Sequence, residues 1–125
     1  MTSRCIILAE DDAGLRASSA LLLQRDCGKA VNVQTAASRG EALMLLSATS
    51  AEETPIIIVD LRMPVRGDGE AIAQAALEKG IQVIIFSGTL DDLSAEVKAK
   101  CRAVIDKSSG LSIVGEQVKL CLSGH

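Results

Sequence analysis

An open parallel β-sheet, doubly wound by helices on its two faces, is the α/β fold that these 125 residues predict. Five short apolar or β-branched runs alternate with five stretches of helical spacing, the pattern of repeated strand–helix units. The third run, Ile56-Ile57-Ile58-Val59, shows no polar alternation, as expected of a strand covered on both faces. Aromatic residues are almost absent, Phe86 being the single example, so the interior must be filled by Val, Ile, Leu and Ala. The length suits one core and is too short for two.

The first strand is placed at Cys5–Ala9. The helix after it sets Leu15, Ser18, Ser19 and Leu22 on one face, widened by Leu21 and Leu23. The second strand is Ala30–Gln34. The second helix groups Ala42, Leu45 and Leu46 and opens on Ser38 as N-cap, with Glu41 three residues on in capping-box spacing. Pro55–Val59 is the third strand; the helix that follows carries Ile72, Ala75 and Ala76 and is stopped by Gly80. Beyond the fourth strand, Gln82–Phe86, a short polar helix over Asp91–Lys100 has Leu93 and Val97 as anchors. Asp91, Asp92, Glu96, Lys98 and Lys100 read as its solvated face. Ala103–Ile105 is the fifth strand. Leu111–Leu122 is the last helix, with Ile113, Val114, Val118 and Leu122 turned inward. No repeat, low-complexity tract or linker is seen, so the chain reads as one domain over residues 1–125 with no output domain.

Composition narrows the function. Thirteen basic against 16 acidic residues give a net charge of −3, which offers no long-range attraction to nucleic acid or an anionic membrane. Bases would find no aromatic platform. No apolar run approaches the ~20 residues of a membrane span, and no leader precedes the first strand; a cytoplasmic protein is expected. Cys5, Cys27, Cys101 and Cys121 are scattered and the only histidine is His125, so the cysteines read as small reduced hydrophobes and not as a zinc site.

In doubly wound sheets the site lies beyond the carboxyl ends of the strands. Here those ends carry Glu10-Asp11-Asp12 after strand one, Asp60 after strand three, Ser87-Gly88 after strand four and Asp106-Lys107 after strand five. Gathered carboxylates repel unless a cation sits among them, and an all-oxygen donor set suits Mg²⁺. An Asp beside that ion can act as a nucleophile on phosphorus, with a lysine and a hydroxyl to receive the phosphoryl oxygens. Each residue also has a plainer reading. The acidic run can cap a helix, Asp60 can open a turn before Pro64, Ser87 can bond its own backbone, and Lys107 can be a surface lysine.

Four segments together resemble the receiver domains of two-component response regulators: Ile6-Ile7-Leu8-Ala9-Glu10-Asp11-Asp12-x-x-x-Arg16, Val59-Asp60-Leu61-Arg62-Met63-Pro64, Phe86-Ser87-Gly88 and Ile105-Asp106-Lys107. The resemblance spans essentially the whole chain. It implies a (βα)5 fold with flavodoxin-like strand order 2-1-3-4-5, and Asp60 as phosphoacceptor. It further implies Mg²⁺ held by Asp11, Glu10, Asp60 and the Arg62 main-chain carbonyl, with Lys107 paired to the phosphate and Ser87 as switch hydroxyl. Asp12 is peripheral in this alignment. The implied partners are a histidine kinase or phosphotransfer protein, since the chain has no internal histidine, and a downstream protein target or missing output domain. The purpose is regulation and not turnover of a substrate.

Three departures from the pattern stand out. Val104 occupies the place of a switch aromatic and, stiff at χ1, cannot swing. Ser108 follows the lysine where many receivers have proline with a cis bond, and a non-proline residue prefers trans by about 3 kcal/mol. Val65-Arg66-Gly67-Asp68-Gly69 is one residue longer before its closing glycine. Arg62 and Thr89 match the positions that tune phosphoryl lifetime. A receiver-fold module that works without phosphorylation is the alternative that Val104 supports. A flavin binder is disfavoured by the acidic first loop and the lack of Tyr and Trp, and an aspartyl phosphohydrolase by a nucleophile after the third strand.

Overall fold

The computed structural model of the chain describes residues 4–124. Ten elements alternate: β1 (Arg4–Ala9), α1 (Ala13–Cys27), β2 (Val31–Ala36), α2 (Arg39–Ser47), β3 (Ile56–Val59), α3 (Asp68–Glu78), β4 (Gln82–Ser87), α4 (Ala95–Lys100), β5 (Ala103–Asp106) and α5 (Leu111–Gly124). The strands form one parallel sheet in the order β2-β1-β3-β4-β5. The reversal of strand order therefore falls between β1 and β3, which opens a crevice at their carboxyl ends.

Alternation of side chains divides the core in two. Ile7, Ala9, Ile57, Val59, Val83 and Ile85 face α2, α3 and α4, where Ala42, Leu46, Ile72, Ala73, Ala76 and Val97 meet them. Ile6, Leu8, Ile56, Ile58, Ile84, Phe86 and Ile105 face α1 and α5, against Leu23, Val114, Val118 and Cys121. All four residues of β3 are buried, so the strand without polar alternation is the one covered on both sides.

Several expectations shift in detail. On α1 the buried residues are Ser19 and Leu23, one turn apart; Leu21 is 72% exposed, and Ser18 is exposed and bonds the Leu15 carbonyl. On α5 the inward row is Val114, Val118 and Cys121, spaced i, i+4, i+7, which turns Ile113 outward. The expected helix over Asp91–Lys100 breaks in two. Leu90–Asp92 makes one 3-10 turn, and α4 starts only after Ser94, whose hydroxyl accepts the Val97 N–H. Val97 is buried and Leu93 packs at the edge of the core, as anticipated.

Capping at α2 follows the sequence. Ser38 Oγ accepts the Glu41 N–H at 3.2 Å, and Glu41 reaches back to the Ala37 N–H at 3.0 Å, one residue earlier than a capping box prescribes. Ser38→Ala is expected to cost about 1 kcal/mol, a fall of a few degrees in Tm that a thermal melt would read. Gly80 ends α3 with φ +79°, beyond Lys79. The cysteines form no disulfide, and burial pushes the Cys27, Cys101 and Cys121 thiols above their ordinary values, away from thiolate chemistry. His125 lies outside the described residues. Among those residues no helix is long and apolar enough to cross a membrane.

Candidate functional site

Asp60 is the first residue past β3 and 7% exposed. Its N–H donates to the Ala9 carbonyl at 3.0 Å, extending the β1–β3 ladder by one step and fixing where the carboxylate starts. Glu10 is placed the same way beyond β1, by an N–H bond to the Ala36 carbonyl at 3.0 Å, and is 4% exposed. Ser87 ends β4 fully buried, and Lys107 follows β5 half-buried. The rim therefore collects all four because each sits at, or one residue past, a strand's carboxyl end.

The contacts within the rim are short. Ser87 Oγ donates to Asp60 Oδ1 at 2.7 Å, and Lys107 Nζ donates to Asp60 Oδ2 at 2.8 Å. Lys107 Nζ also meets Glu10 Oε1 at 2.8 Å, so one ammonium bridges two carboxylates. Ser87 Oγ in turn accepts the Thr89 N–H at 3.2 Å, which makes the local turn and the contact to Asp60 properties of one hydroxyl. Arg62 N–H reaches Asp60 Oδ1 at 3.4 Å, a long bond, and the Arg62 side chain turns outward.

The acidic loop after β1 divides its labour. Asp12 caps α1 by accepting the Leu15 N–H at 2.8 Å, so the plainer reading holds for that residue. Arg16 Nη1 donates to the main-chain carbonyls of Glu10 at 3.1 Å and Asp11 at 3.3 Å, tying the loop to α1. Asp11 is exposed. One carboxylate oxygen each from Glu10, Asp11 and Asp60 lies within 4.8 Å of the others.

Electrostatics agree with a site short of positive charge. Burial pushes the Glu10 carboxyl above its ordinary value, against its bonds to Lys107 and the Asp12 N–H, and the Asp60 charge adds to the rise. Burial alone would lower the Lys107 ammonium, but its bonds to Asp60 and Glu10 and their charges hold it above its ordinary value. Three carboxylates against one ammonium leave an all-oxygen donor set with excess negative charge, which fits a hard divalent cation such as Mg²⁺.

Gly69 keeps this geometry closed. A Cβ there would overlap the Asp60 carbonyl oxygen and the Leu61 Cα, while the Gly69 N–H donates to the Leu61 carbonyl at 3.0 Å. The first turn of α3 thus packs on the backbone of the candidate nucleophile itself. Leu61 and Met63, both buried, pin the intervening loop. Its Met63–Pro64 bond is the one cis peptide among the described residues, so Ser108 follows Lys107 in trans, within a 3-10 turn capped by Asp106.

No family model and no curated protein matches the chain by sequence. Solved structures do. A response regulator receiver domain protein from Clostridium thermocellum is 20% identical, covering 95% of this chain and 94% of its own, with TM-score 0.78. The response regulator TrrA from Thermotoga maritima, solved with Mg²⁺ and BeF, is 20% identical over 94% of this chain and 98% of its own, with TM-score 0.77. A response regulator receiver protein from Burkholderia phymatum is 24% identical over 96% and 95%, with TM-score 0.73. This is the receiver fold. Within it, Glu10, Asp11, Asp60, Ser87 and Lys107 lie together at the carboxyl ends of the strands. The sequence reading missed Asp92 and Arg66. Asp92, which the polar stretch around it predicts to be solvated, has its side chain only 6% exposed between Arg62 and Arg66.

Proposed function

We propose that the chain is a phosphorylation-dependent signalling switch whose phosphoacceptor is Asp60. The observation that carries this reading is the Asp60 carboxylate, buried and gripped by Ser87 Oγ at 2.7 Å and Lys107 Nζ at 2.8 Å beside Glu10 and Asp11. Two-component phosphotransfer is the chemistry such a receiver rim serves, with a histidine kinase or phosphotransfer protein as donor.

In the forward step an Asp60 oxygen attacks the donor's phosphorus, the phosphorus–nitrogen bond of the phosphohistidine breaks, and the imidazole leaves with that electron pair. Asp60 then carries an acyl phosphate. Lys107 neutralises a phosphoryl oxygen, and the Ser87 hydroxyl redirects its proton from the carboxylate to the new group. Attack of water on phosphorus returns the carboxylate and releases inorganic phosphate. Glu10, Asp11, Asp60 and the Arg62 main-chain carbonyl would hold Mg²⁺, which when bound offsets the charge on the phosphoryl oxygens. The output is altered contact with a downstream protein or an output domain, in the cytoplasm where such kinases work. The chain turns over no substrate for its own sake.

A constitutive receiver-fold module is the second reading, favoured by Val104, which lies half-buried against the core where a mobile aromatic would be needed. Labelled acetyl phosphate separates the two. An acyl phosphate on Asp60 gives label that hydroxylamine removes within minutes. Absence of label, or label that resists hydroxylamine and so sits on a hydroxyl, would contradict the switch.

A further inference from the structure

The loop after Ser87 holds a buried acid that the phosphoryl chemistry does not use. Asp92 ends the 3-10 turn that follows Thr89. Two arginines of the β3–α3 loop close on it: Arg62 Nε meets Asp92 Oδ2 at 3.1 Å, and Arg66 Nε meets Oδ1 at 2.8 Å. Two residues on, the Ser94 N–H donates to Glu70 Oε1 of α3 at 2.6 Å. Charged groups therefore pin the segment between β4 and α4 to the β3–α3 side at two points.

Both sides of this contact lead back to one atom. Asp60 Oδ1 accepts from Ser87 Oγ and from the Arg62 N–H. Ser87 Oγ holds the Thr89 N–H, Thr89 opens the turn that ends in Asp92, and Asp92 returns to the Arg62 side chain. The bonds close a ring through Asp60, Ser87, Asp92 and Arg62. A phosphoryl group on Asp60 takes the single Ser87 proton for its own oxygens and changes the charge at the atom where both arms meet. Val104, being stiff at χ1, offers no other mover.

We propose that Arg62, Arg66 and Asp92 form an ionic latch that pins residues 88–94 to the β3–α3 loop while Asp60 is unmodified, and that loading of Asp60 opens it. The inference rests on the function proposed above. The arginine side chains are 53% and 71% exposed, so the cationic ends of both pairs are already half-solvated or more, which suits a contact that must open. Linkage fixes the sign: if loading opens the latch, a latch already open makes loading easier. A merely structural Asp92 would give the opposite or no effect on binding at Asp60.

The test uses the full chain with Asp92→Asn, and with Arg66→Ala as a variant at an exposed side chain that leaves the fold untouched. Amide hydrogen exchange is compared without ligand and with Mg²⁺ plus beryllium fluoride, a stand-in for the phosphoryl group. In the variants, exchange over residues 88–94 is expected to rise about tenfold without ligand, and beryllium fluoride to bind about 3- to 10-fold tighter. Loading the parent should bring its exchange to the variants' level. Variants with parental exchange, weaker binding in the variants, or a loaded parent with residues 88–94 unchanged would each overturn the latch alone. A parent that binds neither Mg²⁺ nor beryllium fluoride would overturn the switch reading itself, and the latch with it.

Discussion

Gly69→Ala is expected to lower the unfolding free energy by about 4 kcal/mol or more, a loss that most single domains barely survive. The added methyl would occupy the position of the Asp60 carbonyl oxygen and the Leu61 backbone. Neither neighbour is the free end of a flexible side chain, so relief requires moving α3 off β3 or displacing Asp60. Urea unfolding would read the loss, and any folded fraction should show weakened Mg²⁺ binding because the backbone of Asp60 has shifted. Gly88→Ala, where a Cβ meets nothing within 4 Å, is the control and should change little. A Gly69→Ala chain as stable as the parent would contradict the close approach of α3 to Asp60.

Lys107→Met separates two roles of one ammonium. With the cation gone, Glu10 and Asp60 lose the charge that bridges them at 2.8 Å each. A divalent ion then meets less repulsion, and Mg²⁺ affinity is expected to rise about tenfold or more. Phosphoryl uptake should fall about 100-fold, the usual scale for losing one preorganised donor to a developing oxyanion. Calorimetric titration and mass-detected uptake measure the two effects separately. The pH dependence has a definite sign. The folded Lys107 value lies above the ordinary 10.5, so its contribution to stability is full below pH 10.5 and is lost as pH climbs through the folded value. Equal Mg²⁺ affinity and equal uptake in the variant would mean that Lys107 is a bystander.

Much of this site is legible from residue order because parallel strands deliver their last residues to one edge. The unbroken Ile56–Val59 run locates the central strand, and Asp60 follows as the first polar residue beyond it. The helices were harder. Ile113 and Val114 are equally apolar, and only the packing of Val114 with Val118 and Cys121 on the sheet decides which turns inward. Likewise Leu21 and Leu23 are alike in sequence and opposite in burial. Asp92 was hidden for a different reason. An acidic doublet in a polar stretch looks solvated, and its partners Arg62 and Arg66 lie in another loop. One signal was present: Ser94, three residues before Val97, marks the N-cap where α4 begins and so places Asp92 in the loop before it.

Phosphoryl transfer to Asp60 is tested by the intact mass of the chain after incubation with acetyl phosphate, with and without Mg²⁺, beside Asp60→Asn. A gain of one phosphoryl group that needs both Mg²⁺ and Asp60 is expected. A gain that persists in Asp60→Asn, or no gain in folded protein that binds Mg²⁺, would contradict it.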